Sequence, residues 1–335
     1  MVIRAFLAIC LLAGCTANGE AAGPASEERR PELEREALFV ANKRGNSLSR
    51  IDLASGEEER RGETCENPHE LAISPDGARI AVVCYSGSGL EIFRSSDLAR
   101  LKEIELGPRA RPHGIHWHGD GRIFATAEGR NSIFVVADPL ADAPQVREIS
   151  TEPGGPHMLV VSNDGGTAWG TIIPRGEVVR IDIASGAVTH RRQLGGETEA
   201  IALSPDETSL WVGANASATV YRLDPETLEV EAEVATGPTP IRVLVRPQGD
   251  YAVTSNFGDG SLSLIDPDTN AVARTIAVSG GQQAVQVALL FSGDGSRIYA
   301  AETGTDTVAE VDFASGEVVR RLPAGEGGDG LAIGR

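Results

Sequence analysis

The sequence predicts an all-β protein, a seven-bladed β-propeller of four-stranded antiparallel blades, and three observations predict it. The first is a repeated phrase. PHELAISPDG begins at Pro68 and returns as PHGIHWHGDG at Pro112, PHMLVVSNDG at Pro156, TEAIALSPDE at Thr198, PIRVLVRPQG at Pro240, QVALLFSGDG at Gln286 and a truncated GDGLAIGR at Gly328. The second is the step between these starts: 44, 44, 42, 42, 46 and 42 residues, the period of a propeller blade. The third is a phase shift at the ends. The repeats begin at Ala37–Asn42, which matches a second strand, and stop at Leu331–Ile333, which matches a first strand. One blade is therefore expected to join three N-terminal strands to one C-terminal strand, which closes the ring and removes an open sheet edge.

Each repeat reads as four strands. In the first complete one, His69–Ser74 alternates around Leu71 and Ile73, and Pro75-Asp76-Gly77 turns the chain, with Pro supplying a fixed φ and Gly the freedom the turn requires. Arg79–Tyr85 is an apolar run rich in Val and Ile, the composition of a buried strand. Leu90–Arg94 and Lys102–Leu106 complete the unit. Asp138, Asp182, Asp224, Asp266 and Asp312 recur just after the third strand. A ring of calcium ligands is one reading of them. Turn formation is the better one, because Asp side chains accept from backbone N–H groups two residues on.

The residues ahead of the repeats have another character. Arg4, the apolar run Ala5–Leu12 and the string Leu12-Ala13-Gly14-Cys15 read as a signal peptide over 1–14, too short to span a membrane. LAGC also resembles a bacterial lipobox, which would make Cys15 a lipidated first residue; an ordinary signal peptide is the alternative. Residues 15–36 then hold the lipidated Cys15 and a polar segment that cannot bury a core and is expected to act as a flexible tether. The propeller occupies 37–335. Thr16, not Asp, follows the cysteine, which by the habit of lipoproteins points to the outer membrane. An exported, lipid-anchored envelope protein is the expectation.

Two cysteines remain in the propeller, Cys65 and Cys84. Pairing across the Pro75–Gly77 turn brings them close, so a disulfide is expected in an oxidising compartment; two free thiols or metal ligation are the alternatives. The formal net charge is −18, and no basic stripe supplies the phosphate contacts a nucleic acid needs. The chain also lacks a Gly-x-Ser-x-Gly elbow, a phosphate-cradling loop and a Cys-x-x-Cys-His haem motif.

The first strand of each blade lines the central channel, so the start of that strand lies at one mouth. Around the ring this position reads His69, His113, His157, Glu199, Ile241, Val287 and Asp329; the next position includes Glu70 and Arg242. Three of the six histidines fall on one equivalent position of successive blades. His69, His113, His157 and Glu199 form a donor set suited to Zn²⁺ or a similar divalent ion, and an open coordination position would make such a centre hydrolytic. Histidines at strand starts also serve as structural groups bonded to a neighbouring carbonyl. Arg242 suits a carboxylate or phosphate ligand, or equally an internal bridge to Glu70 or Glu199. With Asp329 it is placed on the far rim of a solvated mouth. His116 is expected to pack, His118 to face solvent, and His190 to carry no role.

The repeat resembles the YVTN β-propeller repeat, and the whole domain is similar to the YncE-like family of bacterial envelope propellers. The resemblance rests on Phe39-Val40-Ala41-Asn42, on Asn46-Ser47-Leu48-Ser49-Arg50-Ile51-Asp52, on the Ser-Pro-Asp-Gly turns and on the mouth phrases such as Pro68-His69-Glu70 and Arg111-Pro112-His113. It departs from the repeat at His116-Trp117-His118. The resemblance implies an exported seven-bladed propeller and no settled activity; distant relatives include lactonases and haem d1 proteins. Two functions follow as expectations. One is a monomeric module that binds a small molecule or envelope protein at the channel mouth. The other is a metal-dependent, lactonase-like hydrolase at the same place.

Overall fold

The computed structural model describes residues 36–335; the expected signal peptide over 1–14, Cys15 and nearly all of the expected tether lie outside them. Seven four-stranded sheets form the ring. Blade 1 combines β1 (Ala37–Asn42), β2 (Ser47–Asp52) and β3 (Glu58–Glu63) with the last strand, β28 (Gly328–Gly334), in the order β28-β1-β2-β3. Phe39 pairs with Ala332 and Val40 with Leu331, so the shared blade closes the propeller as the phase of the repeat predicts. Blade 2 holds β4 (Pro68–Ile73) to β7 (Arg100–Glu105), with β5 at Arg79–Cys84 and β6 at Gly89–Arg94. Blade 3 runs from β8 (Pro112–Trp117) to β11 (Gln145–Ser150), blade 4 from β12 (Leu159–Val161) to β15 (Ala187–Gln193), and blade 5 from β16 (Thr198–Leu203) to β19 (Val230–Ala235). Blade 6 runs from β20 (Pro240–Val245) to β23 (Ala271–Ala277), and blade 7 from β24 (Gln286–Phe291) to β27 (Val318–Pro323).

The core lies between blades. Val83, Leu90 and Ile92 of blade 2 pack on Ile123, Phe134 and Val136 of blade 3, and Leu262 and Leu264 of blade 6 pack on Phe291, Ile298 and Phe313 of blade 7. Each side chain of this size contributes about 1.5–3 kcal/mol on burial. The outermost strands are polar, as in Glu58–Glu63, EERRGE. The aspartates after the third strand serve turns: Asp182 accepts from Ser185 N, Asp224 from Thr227 N, Asp266 from Asp268 N and Asp312 from Ser315 N.

Two backbone devices shape the mouth. The residue before the first strand is left-handed at Asn67 (φ 55°), Arg111 (48°), Glu197 (58°), Thr239 (57°), Val285 (51°) and Gly327 (74°), although only the last is glycine. The strand start is then bulged, with register shifts between Pro68 and Leu71, Pro112 and Ile115, Thr198 and Ile201, Pro240 and Arg242, and Gln286 and Leu289. A bulge re-aims the side chains it carries. The left-handed corner is held from the same blade: its carbonyl accepts from the N–H of the residue just past the second strand, from Tyr85 to Asn67, Glu128 to Arg111, Asn215 to Glu197, Phe257 to Thr239, Thr303 to Val285 and Lys43 to Gly327, at 2.9–3.2 Å.

Candidate functional site

The strand starts of blades 1, 2, 3 and 5 and the segment just ahead of β12 in blade 4 bring Asp329, His69, His113, His157 and Glu199 side by side. The imidazoles stack: centroids are 4.5 Å apart for His69 and His113 and 3.6 Å for His113 and His157. Blades 6 and 7 put Ile241 and Val287 at the same position. The mouth is thus a polar arc completed by an apolar one.

A second ring, which the repeat reading does not single out, faces the first. It consists of the residues that follow the second strands: Lys43, Tyr85, Glu128, Ile173, Asn215, Phe257 and Thr303. Lys43 Nζ reaches Asp329 Oδ2 at 2.9 Å. The Tyr85 ring lies 5.0 Å from that of His69 and edge-on to that of His113, and its hydroxyl donates to Glu128 Oε2 at 3.0 Å. Glu128 Oε1 pairs closely with His157 Nδ1. Asn215 Nδ2 donates to Glu199 Oε2 at 2.7 Å. The signal for this ring is positional, a residue directly after each apolar second strand such as Phe39–Asn42 or Ile80–Cys84.

Arg242 is not on a far rim. Its Nη1 donates to Glu199 Oε1 and its Nη2 to Glu70 Oε1, both at 2.8 Å. Since these carboxylates belong to blades 5 and 2, the guanidinium of blade 6 crosses the channel and ties opposite walls together. Asp329 adjoins His69, whose Nδ1 is 3.1 Å from Asp329 Oδ2 without the alignment of a hydrogen bond. The site is also drier than a solvated mouth: Asp329 is 0% exposed, His113 2% and Arg242 7%. The reason is geometric, since a long side chain laid across the channel excludes water from the groups beneath it.

The electrostatics follow from this packing. Burial, reinforced by the neighbouring His157 and His69, pushes His113 well below the usual histidine value. Burial also opposes a charge on His157, but Glu128 and Glu199 outweigh it and raise its pKa. Burial opposes ionisation of Glu199, yet His157 and Arg242 bring it down to about 2. Against the same burial, Asp329 is lowered by His69, Lys43 and Arg242. The arc is therefore two runs of ion-pairing groups, Lys43–Asp329 and Glu128–His157–Glu199–Arg242–Glu70, with His113 held towards its neutral form among them. Several atoms remain buried without a hydrogen-bond partner, among them His113 Nδ1, Arg242 Nε, Asn215 Oδ1 and Asp329 Oδ1.

The four residues expected to share a metal do not offer converging ligand atoms. Among the described residues, only Cys65, Cys84 and Glu91 bring three such atoms within 4.8 Å of one another, and the two cysteines are joined in a disulfide. At the other end of the second repeat, His118 is buried rather than solvent-facing. It takes the place of a turn serine: Asp120 N donates to its Nδ1 at 3.2 Å, and its Nε2 lies 3.1 Å from Asn163 O. His116 is half-buried, and burial together with the nearby His118 lowers it to about 4, in keeping with a packing role. His190 is exposed in an outer strand.

Residues 34–333 match the family described as YNCE-like beta-propeller. Among solved structures, Kuenenia stuttgartiensis hydrazine synthase is similar with a TM-score of 0.70 and 20% identity, over 88% of this chain and 99% of that one. Dihydro-heme d1 dehydrogenase NirN, in complex with DHE, is similar with a TM-score of 0.64 and 15% identity, over 91% of this chain and 76% of that one. At these identities the likeness is one of fold. No curated protein matches the sequence.

Proposed function

The chain belongs to the YncE-like β-propeller family, and from that premise and the geometry of the mouth we propose that it is a binding module whose polar arc recognises a small polar molecule or the polar tip of an envelope protein. One observation carries the reading. Five successive blades place buried or half-buried polar groups at a position where blades 6 and 7 place Ile241 and Val287. Apolar residues thus suffice for folding at this position. Buried ion pairs are a poor source of stability, and buried polar atoms without partners lower it. A network kept despite that cost is suited to exchange: Glu70, Glu199, His69 and His157 remain partly exposed and can trade an internal partner for a ligand group.

The module is proposed to be an exported lipoprotein anchored through Cys15. β1 runs from the turn end to the mouth, so Ala37 lies at the end of the propeller opposite the arc. Cys15→Ala is expected to move the protein from the membrane to the soluble envelope fraction; equal membrane retention of the variant would place the anchor elsewhere.

The test of the mouth is imidazole NMR on protein labelled in histidine. Pools of amino acids, dicarboxylates, polyamines and sugars serve as probes. A binding pool should shift His69, His113 and His157 together and raise the melting temperature, and both effects should vanish in Glu199→Gln. If no pool moves these resonances, or if Glu199→Gln binds the active pool as the wild type does, recognition does not occur at the arc.

A further inference from the structure

We propose that Cys65, Cys84 and Glu91 form a redox-gated site for a thiophilic divalent ion such as Zn²⁺, shut while the disulfide is formed and opened by its reduction. The site is separate from the polar arc and does not depend on its function. Cys84 ends β5, Glu91 lies on β6 opposite Val82, and Cys65 precedes β4. Strand pairing thus places two of the three residues, and the backbone of the third is tied to one of them by Cys65 N, which donates to Glu91.

Three features favour a cation. The candidate ligand atoms lie within 4.8 Å of one another. With Cα atoms 5.6 Å apart, the two sulfurs need only separate to roughly 3.7 Å to share a zinc with bonds of about 2.3 Å. Glu91 is a buried carboxylate aimed at the sulfurs: one oxygen accepts from Cys65 N at 2.8 Å and the other from Arg100. Each carboxylate oxygen offers more than one acceptor site, and Arg100 is half-exposed and can turn away. Finally, the three residues line an open cleft of about 200 Å³ together with Glu103 and Glu105. Acidic walls concentrate cations at its floor, and the half-buried Cys65 gives a reductant access.

The chemistry balances with a phosphine as the named reductant. The phosphine takes oxygen from water and becomes a phosphine oxide; its two electrons cleave the S–S bond, and the two protons of that water leave Cys65 and Cys84 as thiols. Metal binding then releases both thiol protons to solvent. Two thiolates and one carboxylate leave a fourth tetrahedral position for water.

The full chain is reduced with a phosphine without oxygen and titrated with Co²⁺, whose thiolate complexes absorb by sulfur-to-metal charge transfer, and then with Zn²⁺ as competitor. One Co²⁺ per reduced chain is expected, displaced by Zn²⁺. No band is expected in the oxidised protein or in reduced Cys84→Ser, and binding at least about tenfold weaker in Glu91→Gln. Near-UV circular dichroism reports whether the reduced propeller stays folded. The proposal is overturned by a reduced wild type without the band, by an equal band in oxidised protein, by unchanged affinity in Glu91→Gln, or by loss of the folded signal on reduction.

Discussion

The two ends of the propeller are built by the same strands, yet the repeat behaves differently at each. At the turn end it is nearly uniform. Ser74, Ser162, Ser204 and Ser292 each donate to the Asp two residues on, at 2.5–2.7 Å. Each also accepts from the N–H five residues on, at 2.9–3.0 Å. At the mouth end the backbone is nearly as uniform, with its left-handed corner and bulge on every blade but the fourth, yet the side chains differ from blade to blade. A residue repeated because the turn needs it is explained by folding. Asp329, the three histidines and Glu199 are not, because Ile241 and Val287 fill the equivalent places without them; nor is Arg242, one position on, where blades 5 and 7 carry Ala200 and Ala288.

The comparison breaks outright if the ring opens, so removal of residues 326–335 has the largest expected effect. The deletion takes β28, the inner strand of blade 1. It strips Asp329 from Lys43 and His69 at the mouth and Arg335 O from Ser95 at the turn end. Loss of a cooperative thermal transition is expected. A truncated chain that melts as the full one does would show that β28 does not close the fold.

Next in size is Arg242→Met. The variant keeps the volume of the side chain and leaves Glu70 and Glu199 facing the channel without their shared cation. Breaking a buried pair on one side costs about 3 kcal/mol, and the partial exposure of both carboxylates keeps it near that lower end. Adding Glu70→Gln and Glu199→Gln should restore part of the loss. Urea unfolding checks both steps. A cost under about 1 kcal/mol would put Arg242 among surface bridges.

Legibility in the sequence divides along the same line. The blade count, the shared blade and the inner ring follow from the repeat, because strand starts recur with its period. Lys43, Tyr85, Glu128 and Asn215 do not. Each lies just past a second strand, outside the repeated phrase, and the antiparallel pairing of that strand's end with the first strand's start, as of Cys84 with Pro68, carries it to the mouth. The dryness of the site is likewise invisible, since nothing in the spacing says that Arg242 spans from blade 5 to blade 2. The stacking of His113 on His157, which turns two of the expected metal ligands towards one another's faces, is a property of side-chain packing at the mouth and not of the residue pattern.

A smaller effect sharpens the contrast through pH. The pKa of His157 is raised in the folded state. Its contribution is therefore fully present below the unfolded value of about 6.5 and is lost as pH rises through the folded value. His113 is lowered, so protonating it costs stability as pH falls below about 6.5. His157→Gln should thus differ most from wild type at mildly acidic pH and approach it as pH rises; a gap that widens towards alkaline pH would reverse the assigned sign. The turn-end carboxylates, lowered by Ser204 at Asp206 and by Ser162 at Asp164, stay ionised across that window and contribute evenly.

The smallest effect tests the uniform end itself. Asp206→Ala removes an acceptor for the Ser204 hydroxyl and for the N–H and hydroxyl of Thr208, and Asp294→Ala removes the same three contacts from the Ser292 hydroxyl and from the N–H and hydroxyl of Ser296. Both aspartates are exposed, so water replaces the lost partner and each change should cost at most about 1 kcal/mol. Because the two turns are geometrically alike and lie on different blades, the costs should be equal and should add in the double variant. Mouth substitutions should do neither: Glu128→Gln and Glu199→Gln act on the same His157, and their double variant is expected to depart from additivity. Equal, additive costs at the turn end with coupled costs at the mouth would show one scaffold carrying one shared network. Additive behaviour at both ends would reduce the arc to a set of independent surface pairs and remove the ground for treating it as one recognition site.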